Sequence, residues 1–191
     1  MTELVAAVGA YIVFGTLLFS GGSHARHPVR FRRLLRQQAV WPPRTEPAVV
    51  VAVITAELGI GITGAVAFVS TGPLGLVAAG LAGSAALYLL FAGYAALLVR
   101  RGIDVPCACS GSDAPANVWT VVRAGLLVIT SVMAWIAVER VGIVLTPALS
   151  ARAALVAIAG AGLGMTIWTL PSALRRPDAA GPDRRGLAEG I

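Results

Sequence analysis

The only two cysteines of the chain, Cys107 and Cys109, are separated by one residue in a polar loop between two apolar runs. A disulfide between such close neighbours closes a strained ring of about eleven atoms. Strained, exposed disulfides tend to be the easily reduced and catalytic ones. The pair therefore predicts a redox-active dithiol, and it leaves inert reduced thiols and metal-binding thiolates as open alternatives.

The two other uses of a cysteine pair have weaker support in the sequence. A purely structural disulfide would remove little unfolded-state entropy, because it closes almost no loop. Two thiolates can bind Cu(I) or supply half of a tetrahedral zinc site, but the two histidines, His24 and His27, lie in another loop. A mixed site would require both loops on one face of the membrane. We predict no metal centre.

Two charged residues within apolar runs are further candidates. Glu57 lies near the middle of the second run, where a carboxylate is costly and usually faces the interior of a helix bundle. It is predicted either as a proton relay, or as an anchor for a polar ligand such as a quinone, or as a neutral structural acid. Arg123 lies just within the fourth run and is a candidate thiolate stabiliser, because a nearby cation lowers the pKa of a thiol. The structural alternative for Glu57 gives it a hydroxyl partner among Thr55, Thr63, Tyr88 and Tyr94.

The composition places these candidates in a membrane protein. The chain of 191 residues is 57% hydrophobic and only 13% charged, and its mean hydropathy is +0.82. These values are too apolar for an ordinary soluble domain. All fifteen basic residues are arginines, and arginines beside apolar runs act as topology signals and contact anionic headgroups. We therefore predict contact with the lipid bilayer and no nucleic-acid partner.

Five apolar runs are candidate membrane helices, and the predicted fold is an all-α transmembrane bundle of four to five spans. Gly21 and Gly22 are predicted to end the first helix, and Pro47 to begin the second. Residues 1–174 are predicted to form this one domain, and 175–191 a polar, disordered tail. The runs are 4–19, 48–69, 74–99, 118–138 and 153–170.

A basic segment, 24–46, separates the first two runs, and its six arginines follow an amphipathic pattern. Its apolar side chains are predicted to dip into the headgroup region. With five spans, the positive-inside rule puts the N-terminus outside the plasma membrane, and the C-terminus, the basic segment and the cysteine loop in the cytoplasm. The apolar side chains are Val29, Phe31, Leu34, Leu35 and Val40.

A series of motifs then identifies a family. His27-Pro28 precedes Phe31 and Leu35, a Pro-Pro pair leads into the span that carries Glu57-Leu58, and a Cys-x-Cys loop is followed by a tryptophan and an Arg-x-x-Leu-Leu helix. This order, over about residues 4–138, resembles the MauE family, which is grouped with DoxX-like membrane proteins. The resemblance implies a role in methylamine utilisation and in maturation of the disulfide-rich small subunit of methylamine dehydrogenase.

The chain departs from the family pattern at two points. The thiol motif of the family is close to Cys-Gly-Cys-Phe-Gly, whereas Ala108 and Ser110 replace the middle glycine and the aromatic residue here. The later Arg-Asn pair is Arg123-Ala124. An exported client would suit a thiol loop on the oxidising side of the membrane, whereas the arginine count puts the loop inside.

The predicted function is thiol–disulfide exchange with a thioredoxin-fold partner. One thiolate would attack a partner disulfide, and the second cysteine would resolve the mixed disulfide. The alternative is a non-enzymatic scaffold or accessory subunit of a larger membrane complex. It would bind that complex through the basic segment and through glycine-lined helix faces, of which Gly61 with Gly64 and Gly160 with Gly164 are the candidates. Whether the protein is an enzyme stays open at this stage, and a quinone is the one cofactor considered.

Overall fold

The computed structural model describes residues 2–70, 73–103, 105, 116–141, 160, 162 and 164. Within these residues the secondary structure consists of five α-helices with no strand, which confirms the predicted all-α class. The predicted tail, 175–191, lies outside the described residues. The helices are α1 (Thr2–Arg26), α2 (Pro28–Gln38), α3 (Glu46–Val69), α4 (Leu74–Arg100) and α5 (Val118–Val141).

Three of the described helices are long and apolar enough to cross a membrane: Glu46–Val69, Leu74–Arg100 and Val118–Arg140. Large apolar side chains such as Ile62, Leu90 and Ile129 are exposed on their outer surfaces. Because water would disfavour so much exposed apolar area, these surfaces suit contact with lipid. The first predicted run lies within α1, and the fifth lies outside the described residues except for three glycines, which are helical.

The helix bounds match the predicted runs closely at α3, α4 and α5, but the prediction for the end of α1 was wrong. The helix continues through Gly21 and Gly22 to Arg26. A methyl group added at Gly21 would lie 3.0 Å from the Glu57 and Leu58 side chains. The contact with α3 therefore stabilises helical backbone at a glycine that alone would cost about 1 kcal/mol.

The four long helices pack as an antiparallel bundle, in which α1 contacts α3 and α5, and α4 contacts the same two helices. Phe14, Leu17 and Leu81 are among the buried side chains of its core. The ends of α1 and α4 and the starts of α3 and α5 lie together, and we call this the loop end. The segment 101–117, which carries the cysteines, joins α4 to α5 there. Tyr94 of α4 donates a hydrogen bond of 2.5 Å to Gln38 of α2, which places α2 at the same end.

Glycines allow α1, α3 and α4 to approach one another closely. A Cβ atom at Gly64 would clash with the ring of Phe14, and one at Gly80 would lie 3.2 Å from the Gly64 backbone. Gly61 faces Leu17 and Leu18 of α1 in the same way. The predicted glycine patch on the second span is therefore a site of close helix packing within the chain.

The basic segment forms an amphipathic helix, α2, as predicted, but its apolar face contacts the protein. Phe31 and Leu35 are buried and pack against Val50 of α3, while Val29 stays 72% exposed. Pro28 suits the first turn of the helix, because its missing N–H group would have no helical partner there. The bundle, and not only the headgroup region, therefore receives the apolar face of α2.

Candidate functional site

The four long helices surround a cavity of about 30 Å³ near the loop end, and its mostly apolar wall carries several polar side chains. This volume is enough for a water molecule, which needs about 10–15 Å³ by the same measure. Every one of the four helices contributes to the wall. The lining residues are Thr16 and Ser20 of α1, Glu57 of α3, Tyr88, Phe91 and Ala95 of α4, and Thr120, Arg123, Ala124 and Leu127 of α5.

Glu57 lies in the bundle interior, where the sequence predicted it, and is only 1% exposed. The Ser20 hydroxyl donates a 2.8 Å hydrogen bond to Oε1. The other oxygen, Oε2, accepts no hydrogen bond from the described residues and lies 3.9 Å from Nε2 of His24. One carboxylate oxygen is thus bonded, and the second has unused acceptor capacity in a buried position.

The hydroxyl partners expected for Glu57 were wrong. Thr55 and Thr63 are exposed on the outer side of α3. The hydroxyl of Tyr88 donates to the backbone oxygen of Val13 on α1, at 3.0 Å, and Tyr94 donates to Gln38. The rotation of α1 against α3 brings Ser20 to the carboxylate, so the partner comes from a helix that the sequence analysis did not consider.

His24 connects this cluster to the outer end of α1. Its Nε2 atom lies 3.4 Å from the Ser20 hydroxyl, and its ring stacks on Phe31 of α2 with 4.2 Å between ring centroids. Burial lowers the pKa of His24 to about 4, so the imidazole is neutral at pH 7. His27 is exposed at the start of α2. The two histidines therefore do not share one site, and no group of three or more metal-binding side chains occurs in the described part of the chain.

Arg123 is buried in the second turn of α5 and is 5% exposed. A reciprocal pair fixes the start of that helix: the Asn117 side chain accepts from the Thr120 backbone N–H at 3.0 Å, and the Asn117 N–H donates to the Thr120 hydroxyl at 3.3 Å. This cap orients Arg123 toward the same cavity as Glu57. Cys107 and Cys109 lie outside the described residues, so the roles predicted for the thiols and for Arg123 stay predictions.

Comparison with known proteins decides the family. A family model described as "Methylamine utilisation protein MauE" matches residues 1–137, well over half of the chain. The chain belongs to the MauE family. No curated protein and no solved structure matches it.

The MauE match covers every candidate residue. It contains α1 to α4, most of α5, the whole wall of the cavity and the cysteine loop. Its range agrees with the resemblance that the motifs predicted over about residues 4–138. The apolar helices and this match together make the protein a MauE-family membrane protein.

Two residues of this MauE site, Thr16 and Ser20, were missed by the motifs, and His24 was considered only as a metal ligand. Thr16, Ser20 and His24 are spaced four apart and therefore lie on one face of α1. A polar stripe along an otherwise apolar helix is the signal that would have found them. Thr120 of α5 was also missed, and its spacing of three from Arg123 gives the same kind of signal.

The volume of the cavity decides whether a quinone ring could bind in it. An engineered cavity that binds benzene measures about 150 Å³, whereas this one measures about 30 Å³. A quinone ring does not fit in this cavity of the described helices. Quinone binding therefore stays a prediction that requires another surface of this MauE-family protein.

Proposed function

We propose that this protein performs thiol–disulfide exchange with a thioredoxin-fold partner through Cys107 and Cys109, and so supports the maturation or the redox state of a partner protein of the methylamine-utilisation type. One thiolate attacks a partner disulfide, a mixed disulfide forms, and one partner thiolate leaves. The second cysteine attacks the mixed disulfide, frees the other partner thiolate and leaves a Cys107–Cys109 disulfide, so two electrons pass to the partner. The reverse sequence oxidises a partner dithiol.

The proposal is supported most by the chain connection, because the segment that carries both cysteines runs from the end of α4 to the start of α5. The segment 101–117 joins α4 to α5 at the loop end, and both helices line the cavity that holds Glu57 and Arg123. Arg123 comes five residues after the first residue of α5, which corresponds to about 8 Å along the helix axis. A buried guanidinium close to the end of this loop favours thiolate formation.

The test uses the full-length protein in proteoliposomes with thioredoxin as the exchange probe. We expect Cys107→Ser and Cys109→Ser each to abolish complete exchange, because either change removes the attacking or the resolving thiolate. One of the two variants should accumulate the mixed disulfide, which is seen as a mass shift. Ser110→Ala, in the same loop, is the matched control and should exchange at the native rate.

A Cys107→Ser protein that exchanges disulfides at the native rate would show that the two-cysteine mechanism is wrong. Membrane insertion of all variants is checked in parallel. A loss of insertion in the serine variants would assign the cysteines a structural role instead.

The alternative function, a non-enzymatic scaffold, requires that glycine-lined helix faces and the basic segment bind a second protein. Gly61 and Gly64 contact α1 of the same chain, and a Cβ at Gly160 would lie 2.9 Å from Cβ of Tyr11. A Cβ at Gly164 would meet no described atom within 4 Å. Because most of these glycines already pack within the chain, the thiol function has the better support.

The proposed orientation places α2 and the cysteine loop in the cytoplasm and the N-terminus outside the plasma membrane. The exposed arginines of α2 and the arginines at the end of α4 share the loop end, which agrees with the positive-inside rule. A membrane-impermeant thiol reagent on intact cells tests this. Modification of Cys107 and Cys109 before lysis would overturn the cytoplasmic placement and favour an exported, methylamine-utilisation type client.

A further inference from the structure

We propose that Glu57, Ser20 and His24 form a proton-transfer chain between the water-sized cavity and the loop end of the bundle. The three side chains follow one another without a gap: Glu57 lines the cavity, Ser20 bonds to it, and His24 lies next to Ser20 at the end of α1. All three residues belong to the described parts of α1 and α3, and proton transfer along them does not require the thiol function.

The inner end of the chain is a carboxyl group built to exchange a proton. Glu57 is 1% exposed, and its Oε2 accepts no hydrogen bond from any described residue, although the neighbouring cavity has room for a water molecule. A buried acceptor without a partner is unfavourable unless water or a proton satisfies it. A water molecule can deliver a proton to Oε2 or accept one from it, and a bound proton can be released, so Glu57 is suited to proton transfer.

The middle of the chain is a hydroxyl that can donate and accept at once. Ser20 donates to Oε1 of Glu57 at 2.8 Å, and its oxygen lies 3.4 Å from Nε2 of His24. When Nε2 carries a proton, that proton passes to the Ser20 oxygen while the Ser20 proton passes to Glu57. The imidazolium becomes neutral imidazole and the carboxylate becomes a carboxylic acid, so charge and atoms balance. The reverse transfer restores the first state.

The outer end of the chain is held by α2. The His24 ring stacks on Phe31 and is 7% exposed, so proton exchange with water occurs at a small edge of the ring near the basic helix. Other charged or titratable groups also surround Glu57. They are Tyr88 from α4 and Arg123 from α5, which line the same cavity. Neither Tyr88 nor Arg123 lies between Ser20 and His24.

Infrared difference spectroscopy of the full-length protein in nanodiscs tests the chain. A carboxylic acid band that disappears in Glu57→Gln would identify the proton on Glu57. After rapid transfer into D₂O, we expect that band to shift at least about tenfold more slowly in Ser20→Ala and in His24→Phe than in the native protein. Ser20→Thr, which keeps a hydroxyl, should exchange at close to the native rate.

Ser131→Ala is the matched control. Ser131 is fully buried, and its hydroxyl donates to the Leu127 backbone oxygen of its own helix, so its removal should leave the exchange rate unchanged. A native exchange rate in Ser20→Ala would overturn the proposal. A Glu57→Gln spectrum that keeps every carboxylic acid band of the native protein would also overturn it. The cysteine-free double variant Cys107→Ser/Cys109→Ser should keep the native exchange rate, and this separates the failure of the chain from the failure of the thiol function.

Discussion

Glu46 and Glu57 are two carboxylates on one helix, and each is 1% exposed, yet their surroundings differ. Glu46 begins α3 and faces two arginines of α2: its Oε2 lies 3.1 Å from Nε of Arg36 and 3.7 Å from Nε of Arg32. Glu57 faces a serine hydroxyl and a histidine that burial keeps neutral at pH 7. The same residue type is thus compensated by charge at one position and by weak hydrogen bonding at the other.

The difference distinguishes a carboxylate that fixes the position of a helix, Glu46, from one that is suited to proton exchange, Glu57. The Glu46 pairs fasten α2 to the start of α3, and the arginines are 60% and 47% exposed, so water shares their charge. Such a pair contributes modest stability and fixes the position of the basic helix. Glu57 has an oxygen without a partner among the described groups and a cavity beside it, features that lower stability and are typical of functional sites.

Reversing the charge at the structural carboxylate should have the largest effect. Glu46→Lys would bury an ammonium group beside two guanidinium groups, and we expect a loss of about 3 kcal/mol in unfolding free energy together with release of α2. Thermal unfolding in detergent, followed by tryptophan fluorescence, measures the stability. Hydrogen exchange of the amides of α2 (Pro28–Gln38) measures the release.

Glu139→Lys is the control for that variant. Glu139 is exposed near the end of α5, so the same change there should alter stability by less than about 0.5 kcal/mol. Equal losses in the two variants would show that the arginines of α2 do not hold Glu46. Glu46 would then not be a carboxylate that fixes the position of α2.

A similar or smaller loss of stability is expected from acid near Glu57, where His24 is the group that titrates. The pKa of His24 is lowered from 6.5 to about 4 in the folded protein, so the unfolded chain binds more protons between these values. Stability should therefore fall as the pH drops from above 6.5 to below 4, by about 3 kcal/mol in total. Above pH 7 the histidine contributes no pH dependence.

The His24→Phe variant isolates this dependence, because phenylalanine keeps the stacking on Phe31 but does not titrate. Unfolding free energies of both proteins are compared at several pH values in this window. The native protein should lose more stability toward acid than the variant does. Parallel curves would mean that protonated His24 is stabilised, and the nearby Glu57 carboxylate at 3.9 Å is the group that could do so.

The helices were predictable because apolar runs and polar breaks alternate sharply along the chain. Glu57 was expected inside the bundle for the same reason, since a carboxylate in the middle of a span is rarely stable against lipid. The end of α1 was not predictable from local preference. Gly21 favours a helix end by itself, and only its contact with Glu57 and Leu58 explains why the helix continues.

The partners of Glu57 depend on how α1 is rotated against α3, and no single segment specifies that rotation. It follows from the fit of the Phe14 ring against Gly64 and Gly80, which involves three helices. Once this rotation is known, Ser20 and His24 follow from their spacing of four residues. The cysteine pair is the opposite case: its chemistry is readable from spacing alone, while its placement beyond the loop end stays a prediction.

The smallest expected stability effects give the sharpest test of the comparison, because one isosteric change is made at both carboxylates. Glu46→Gln keeps the shape but removes the charge that Arg36 and Arg32 face, and we expect it to cost about 1 kcal/mol. Glu57→Gln should cost less than about 0.5 kcal/mol or stabilise the protein, because the amide can still accept from Ser20 and no longer buries a charge. Unfolding in detergent measures both. The infrared spectrum should show the opposite order of effects, because Glu57→Gln removes the carboxylic acid band and Glu46→Gln leaves it unchanged. If Glu57→Gln were the more destabilising of the two, Glu57 would be as structural as Glu46, and its open oxygen would reflect packing instead of chemistry.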